Sequence, residues 1–157
     1  MFRRTYPTFF PRFTGNSDNS FSSTEFSFNH YATVWRGGVM ASRIHGSFSY
    51  GHTPWGLMPT AGGSSQMRGY YEGQYRDKCE TDLTVELRQH VYRRSGIVVW
   101  GGLGAVYPSP GKFRSRYLLP NYGAGYRWEL KKATNVRLDI GFGKGCVGVE
   151  FNINEAF

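Results

Sequence analysis

Strict alternation of apolar and polar residues constrains the fold of this chain more than any other feature. The pattern is clearest near the end of the chain, where apolar side chains occupy every second position over residues 147–153. Residues 136–142 and 122–130 show the same alternation, and residues 83–91 show it with one exception. A period of two is typical of a β-strand that has one apolar and one polar face. The sequence therefore predicts an all-β protein, and no segment has a convincing helical period.

Seven strands follow from this pattern and from the intervening turn residues. We predict them at about residues 20–35, 38–51, 79–93, 96–107, 119–131, 134–143 and 145–157. Most short turns fall on one side of the strand array, and the long connections 51–78 and 108–118 fall on the other. Such asymmetry is typical of antiparallel outer-membrane barrels. We interpret residues 1–19 as a loop or a strand remnant and residues 20–157 as part of a barrel domain.

Composition is consistent with strands and leaves the environment of the apolar face open. The chain contains 21 Gly, 12 Phe and 11 Tyr, which favours strands joined by tight turns. The longest uncharged apolar run, residues 96–108, is too short and too glycine-rich for a transmembrane helix. A transmembrane strand needs only about 9–11 residues, about half of them apolar.

The apolar face could form the core of a soluble barrel or contact lipid. Predicted strands longer than the usual 5–6 residues of globular proteins favour the membrane barrel. Aromatic residues near strand ends, such as Trp35, Tyr107 and Trp128, would suit the membrane interfaces. A soluble ligand- or lipid-carrying β-barrel is one alternative. The net charge of +8 makes a basic single-stranded nucleic-acid-binding domain the other, but the charges alternate along strands instead of clustering, so we expect no nucleic-acid partner.

No arrangement of residues indicates catalysis. The four histidines, His30, His45, His52 and His90, lack ligand spacing, and no nucleophile or phosphate-loop motif occurs. Cys79 and Cys146 are far apart and in no metal-binding pattern. We therefore expect a protein that is not an enzyme, with no catalytic residue, metal or cofactor.

The long connection before the third predicted strand carries the most specific motif. A glycine pair, Gly62-Gly63, is followed by Arg68-Gly69-Tyr70, then by Gly73 and by Arg76-Asp77. In this order the motif closely resembles the conserved loop of the BamA/TamA superfamily of outer-membrane assembly factors (bacterial surface antigen β-barrels). The resemblance covers about residues 20–157 and is strongest over 62–157, with five predicted strands after the loop, as in that family.

The resemblance implies that the loop folds back into the barrel and that its arginine pairs with acidic groups on the inner wall. Glu86 matches one such group. The segment from Val98 to Tyr107 resembles the family strand that ends in Asp-x-Gly-x-Val. Gly104 and Val106 fit this pattern, but Gly102 stands where the family has aspartate. Asp139 is our candidate replacement, because the alternation places it on the polar face. We expect Arg68 to be held chiefly by Glu86.

The family barrel has about sixteen strands, so the seven or so predicted here would be its C-terminal part. No signal-peptide pattern follows Met1, so we expect an upstream barrel half in a longer parent, and the chain would be a fragment or have a misplaced start. The sequence leaves open whether periplasmic modules lie upstream. The resemblance also implies location in the bacterial outer membrane, contact with its lipid, and assembly, insertion or translocation of proteins. Its partners would be unfolded outer-membrane or secreted proteins.

The end of the chain resembles an outer-membrane targeting signal. Phe151 and Ile153 lie on the apolar face of the last predicted strand, and Phe157 is the last residue. A terminal aromatic residue preceded by alternating apolar positions is the form of that signal. The other interpretation is an ordinary last strand.

Overall fold

Long β-strands make up most of this protein in its computed structural model, which describes residues 3–14, 21–63, 66–131 and 134–153. The strands are β1 Arg3–Thr14, β2 Phe21–Trp35, β3 Gly38–Gly51, β4 Thr60–Ala61, β5 Tyr75–Arg76, β6 Cys79–Tyr92, β7 Ser95–Tyr107, β8 Leu118–Lys131, β9 Thr134–Gly143 and β10 Cys146–Ile153. Single turns of 3-10 helix lie at Trp55–Leu57, Pro110–Lys112 and Ser115–Tyr117. Within the described ranges, no helix is long and apolar enough to cross a membrane.

Eight of the strands form one antiparallel sheet in the order β1-β2-β3-β6-β7-β8-β9-β10. Each strand pairs with the next long strand along the chain, and β4 and β5 form a small separate ribbon within the connection from β3 to β6. The predicted all-β antiparallel class is therefore confirmed. Across the described residues the sheet is open, with β1 and β10 at its two edges.

The seven predicted strands correspond to β2, β3 and β6–β10, and their ends agree to within one residue as far as Ile153. The predicted continuation over residues 154–157 lies outside the described residues. β1 is an eighth strand, in the segment interpreted as a loop or a strand remnant. Pro7 and Pro11 interrupt the alternating pattern of this segment in the sequence, which obscured the strand.

One face of the sheet carries buried polar side chains, and the other carries exposed apolar side chains. The buried polar side chains of one face include Arg43, His45, Glu80, Asp82, Thr84, Glu86, Asn121, Arg127, Arg137 and Asp139. The exposed apolar side chains of the other include Phe28, Met40, Ile44, Leu83, Val85, Ile97, Val99, Leu103, Tyr126, Leu138, Ile140, Val147, Val149, Phe151 and Ile153. The connection from β3 to β6 lies over the polar face and helps to bury it.

Candidate functional site

The loop between β4 and β5 places its central residues against the polar face of the sheet. Arg68 is only 2% exposed, and its neighbours Met67 and Tyr70 are also buried. Gly69 has a φ of +105°, a backbone conformation that residues other than glycine rarely adopt. Its backbone lies directly against that of Gly141 in β9. The glycine of the sequence motif therefore permits both the turn and the close approach to the sheet.

Arg68 joins two acidic side chains that come from different strands. Its Nη1 donates a hydrogen bond to Asp139 Oδ2 at 3.0 Å, and its Nη2 donates to Glu86 Oε2. Glu86 is fully buried and Asp139 is 1% exposed. The planar guanidinium group suits two carboxylates at once, and each buried charge needs such a partner. We call Arg68, Glu86 and Asp139 the Arg68 cluster.

Further arginines surround the Arg68 cluster. Arg88 donates to Glu86, Arg127 donates to Asp139, and Arg137 Nε lies 3.3 Å from Asp139 Oδ2. Arg137 also lies 3.6 Å from Glu150. Four arginines thus face three carboxylates, which gives this part of the polar face a net positive charge.

The indole ring of Trp100 in β7 packs against the guanidinium group of Arg68. The guanidinium carbon of Arg68 lies 3.8 Å from the centroid of the indole ring, within the range of a cation–π interaction. Because Trp100 is directly opposite Glu86 in the β6–β7 register, the ring and the carboxylate hold Arg68 from adjacent strands.

Tyr70 anchors the loop at a second point. Its hydroxyl donates to the carbonyl of Pro120 at 2.8 Å and accepts from the backbone N–H of Lys144 at 2.8 Å. Burial raises the pKa of the Tyr70 hydroxyl, so the group keeps the proton that it donates. The ring also packs edge-on against Tyr75, with 5.6 Å between centroids. Tyr70 therefore connects the loop to β8 and to the β9–β10 turn.

Asn121 occupies the space beside Gly102, the position at which the family resembled in sequence has an aspartate. A Cβ at this position would come within 2.5 Å of Asn121 Oδ1 in β8, so Asn121 fills the space beside the glycine. Asn121 Nδ2 in turn donates to the carbonyl of Arg68 at 3.2 Å. The side-chain amide of Asn121 therefore contacts the backbone of Arg68. Asp139 supplies the second carboxylate, besides that of Glu86, that pairs with the Arg68 side chain.

The structure brings together all the residues predicted for the loop motif and its acidic partners: Arg68, Gly69, Tyr70, Glu86 and Asp139. It places the predicted targeting residues elsewhere. Phe151 and Ile153 are exposed on the apolar face of β10, and Phe157 lies outside the described residues. Cys79 is buried and Cys146 half-buried, both as free thiols.

Sequence reasoning missed Trp100, Arg127 and Arg137 as members of this site. Alternation placed both arginines on the polar face, but the partner of each depends on strand register. Trp100 belongs to an apolar run, where nothing in the sequence distinguishes an inward-facing ring. Arg127 and Arg137 lie directly opposite one another, and Asp139 is the next residue on the same face.

Ion pairs and hydrogen bonds engage both carboxylates of the Arg68 cluster, an arrangement suited to holding a loop in place. No family model matches the sequence, and no curated protein matches it. Function must therefore be inferred from the loop motif and from the geometry of the two faces.

Proposed function

We propose that this chain is part of a transmembrane β-barrel in the bacterial outer membrane and takes part in the assembly, insertion or translocation of proteins there. The observation that carries the proposal is the burial of Arg68 between Glu86 and Asp139 on a sheet whose opposite face is apolar and exposed. The resemblance of the loop to the BamA/TamA superfamily supplies the specific role. That role needs no covalent chemistry.

The apolar face supports a lipid environment. Val149 and Ile140 lie directly opposite one another in β10 and β9, and they are 68% and 44% exposed. Exposed apolar rows continue across the neighbouring strands, and contiguous patches of this kind in soluble monomers seldom exceed a few hundred Å². Contact with hydrocarbon would remove this apolar face from water, which is favourable. The strands are long enough to span the hydrocarbon layer of a bilayer.

The polar face supports an assignment to the barrel interior. Many of its charges form ion pairs within the protein, as expected for side chains enclosed in a lumen. The Arg68 loop lies on this face, so it would occupy part of the lumen and hold β6, β7 and β9 in fixed positions.

Unpaired strand edges are not tolerated in hydrocarbon, because their backbone groups would have no hydrogen-bond partner. We therefore place further strands beside β1 and β10 in a closed barrel, which the resemblance implies has about sixteen strands. The resemblance implies that β10 would then form one side of a seam, next to which client strands are handled.

Membrane insertion can be tested with the closed barrel that contains this chain, in vesicles of phosphatidylcholine brominated along the acyl chain. Trp128 is exposed on the apolar face, whereas Trp100 is buried on the polar face. We expect brominated lipid to quench the fluorescence of a variant retaining only Trp128 and to leave a variant retaining only Trp100 largely unquenched. Equal quenching of both, or recovery of the closed barrel in the aqueous fraction, would contradict membrane insertion.

The assembly role needs a separate measurement. Vesicles containing the closed barrel of which this chain is part should accelerate the folding of an unfolded outer-membrane β-barrel protein relative to empty vesicles. Vesicles containing Arg68→Ala are the matched comparison and should accelerate it less. Insertion without any acceleration would leave a membrane barrel with a different role.

A further inference from the structure

A second group of buried charged residues lies on the polar face, away from the Arg68 cluster. His45 in β3 is directly opposite Asp82 in β6, and Glu80 is the next residue of β6 on that face. His45 Nδ1 lies 3.0 Å from Glu80 Oε2 and 3.3 Å from Asp82 Oδ2. All three side chains are buried. We call them the His45 cluster.

The hydrogen-bond capacity of the His45 cluster is unbalanced. An imidazole Nδ1 carries at most one hydrogen, yet two carboxylate oxygens face it. Among the residues that the structure describes, Asp82 Oδ2 and Glu80 Oε1 have no hydrogen-bond partner, although Glu80 is only 1% exposed. Unsatisfied carboxylate oxygens at this depth are costly, and a cation can satisfy several at once.

The surrounding charges favour an added cation. Asp82 Oδ1 accepts a hydrogen bond from Arg43 at 2.9 Å, so one of its oxygens is occupied and the other faces His45. On the far side of the ring, His45 Nε2 lies 3.2 Å from Glu25 Oε1 and 3.4 Å from Gln66 Nε2. Three carboxylates therefore face one arginine and one histidine, and a doubly charged ion that replaces the imidazole proton on Nδ1 would neutralise the two negative charges that remain.

Space and spacing are both compatible with a metal ion. Two members of the His45 cluster, His45 and Glu80, line a cavity of about 240 Å³ together with Glu25, and this cavity has room for water molecules beside a bound ion. Ligands about 2.1 Å from a zinc ion at tetrahedral angles lie roughly 3.4 Å apart. The separations of 3.0 and 3.3 Å between His45 Nδ1 and the two carboxylate oxygens are close to this value.

We propose that His45, Glu80 and Asp82 form a binding site for a divalent transition-metal cation, with Zn²⁺ as the representative ion and water completing its coordination. The linear sequence gave no metal-ligand spacing, because the histidine and the carboxylates come from different strands and meet only through the β3–β6 register. One imidazole and two carboxylates suit Zn²⁺ better than Mg²⁺, which prefers an all-oxygen shell.

The test is isothermal titration of the full chain with ZnCl₂, and with MgCl₂ for comparison, under conditions where circular dichroism shows β structure. We expect one Zn²⁺ site and much weaker Mg²⁺ binding. His45→Asn and Glu80→Gln should each lower the Zn²⁺ affinity at least tenfold. X-ray absorption of the zinc-loaded protein should show only N and O ligands at about 2.0–2.1 Å, including imidazole.

His90→Asn is the matched control, because His90 lies near the opposite end of β6, where its Nε2 is 2.7 Å from the carbonyl of Arg93. This variant should bind Zn²⁺ like the unmodified chain. Absence of Zn²⁺ binding, or affinity that His45→Asn and Glu80→Gln leave unchanged, would overturn the site. An equal loss in His90→Asn would overturn it as well, because it would place binding outside the His45 cluster. If His45→Asn does not fold, the nearly isosteric Glu80→Gln decides the question.

Discussion

A Cβ atom on Gly141 would lie 2.8 Å from the backbone nitrogen of Gly69. The reverse also holds, since a Cβ on Gly69 would lie 2.8 Å from the carbonyl carbon of Gly141. The loop backbone and β9 therefore touch without an intervening side chain. This contact limits how closely the loop approaches the sheet. It therefore also limits how closely Arg68 approaches Asp139, which lies two residues before Gly141 in the same strand.

Replacing Gly141 by alanine should displace the loop. The added methyl group would overlap the backbone of Arg68 and Gly69, and overpacking of this kind costs about 1–3 kcal/mol. We expect a lower free energy of unfolding in urea and faster proteolysis of the loop. Gly101→Ala is the control, because a Cβ there would meet no atom within 4 Å. Equal effects of the two substitutions would show that the Gly69–Gly141 contact does not position the loop.

Strand positions could be predicted closely from the sequence, but the contact between Gly69 and Gly141 could not. Alternation over residues 134–143 places Asp139 and Gly141 on one face, and it leaves open which loop covers that face. The contact with Gly69 can be identified only from the fold, because Gly69 and Gly141 lie far apart in the chain. β1 was equally hard to predict, because Pro7 and Pro11 interrupt its pattern.

The Arg68–Glu86 contact could be predicted because the loop motif and the strand that follows it are neighbours in sequence. The contact of Arg68 with Asp139 followed from placing Asp139 on the polar face. Trp100 beneath the guanidinium group was beyond prediction, since its position depends on the pairing of β6 with β7. The His45 cluster was missed for the same reason, as it depends on the pairing of β3 with β6.

Removing the hydroxyl of Tyr70 should loosen the second anchor of the loop. Tyr70→Phe leaves the carbonyl of Pro120 and the N–H of Lys144 without their shared partner, at a cost of about 1–3 kcal/mol. Urea unfolding of the folded chain measures this loss. Tyr71→Phe is the matched control, because the adjacent Tyr71 is exposed, and it should change the unfolding free energy by less than about 0.5 kcal/mol. Similar values for the two variants would contradict an anchoring role of Tyr70.

A double-mutant cycle should reveal strong coupling between Arg68 and Glu86. Each single change to alanine leaves a buried charge short of a partner, which costs about 3–5 kcal/mol in a dry interior and less in a wet one. Arg88 still contacts Glu86 when Arg68 is absent, so part of that loss is offset. We expect the two single variants to be similarly destabilised in urea, and the double variant to be little worse than either.

Arg68→Lys tests the geometry of the same contact. A lysine ammonium lacks the planar fork with which Arg68 donates to Glu86 and Asp139 at once, so it should not restore full stability. Strictly additive losses in the double-mutant cycle, or full stability of Arg68→Lys, would contradict the proposed role of the Arg68 cluster.

Arginine on the apolar face should be tolerated in water and costly in lipid. Ile140 and Val149 lie opposite one another on β9 and β10, where we expect hydrocarbon. Ile140→Arg and Val149→Arg should each cost about 2–4 kcal/mol near the bilayer midplane, measured as the free energy with which the closed barrel containing this chain folds into phosphatidylcholine vesicles. Leu57→Arg is the control, because Leu57 is exposed in the connection between β3 and β6, outside the long strands. If arginine at position 140 costs no more than arginine at position 57, or costs as much without lipid, the apolar face does not contact the membrane.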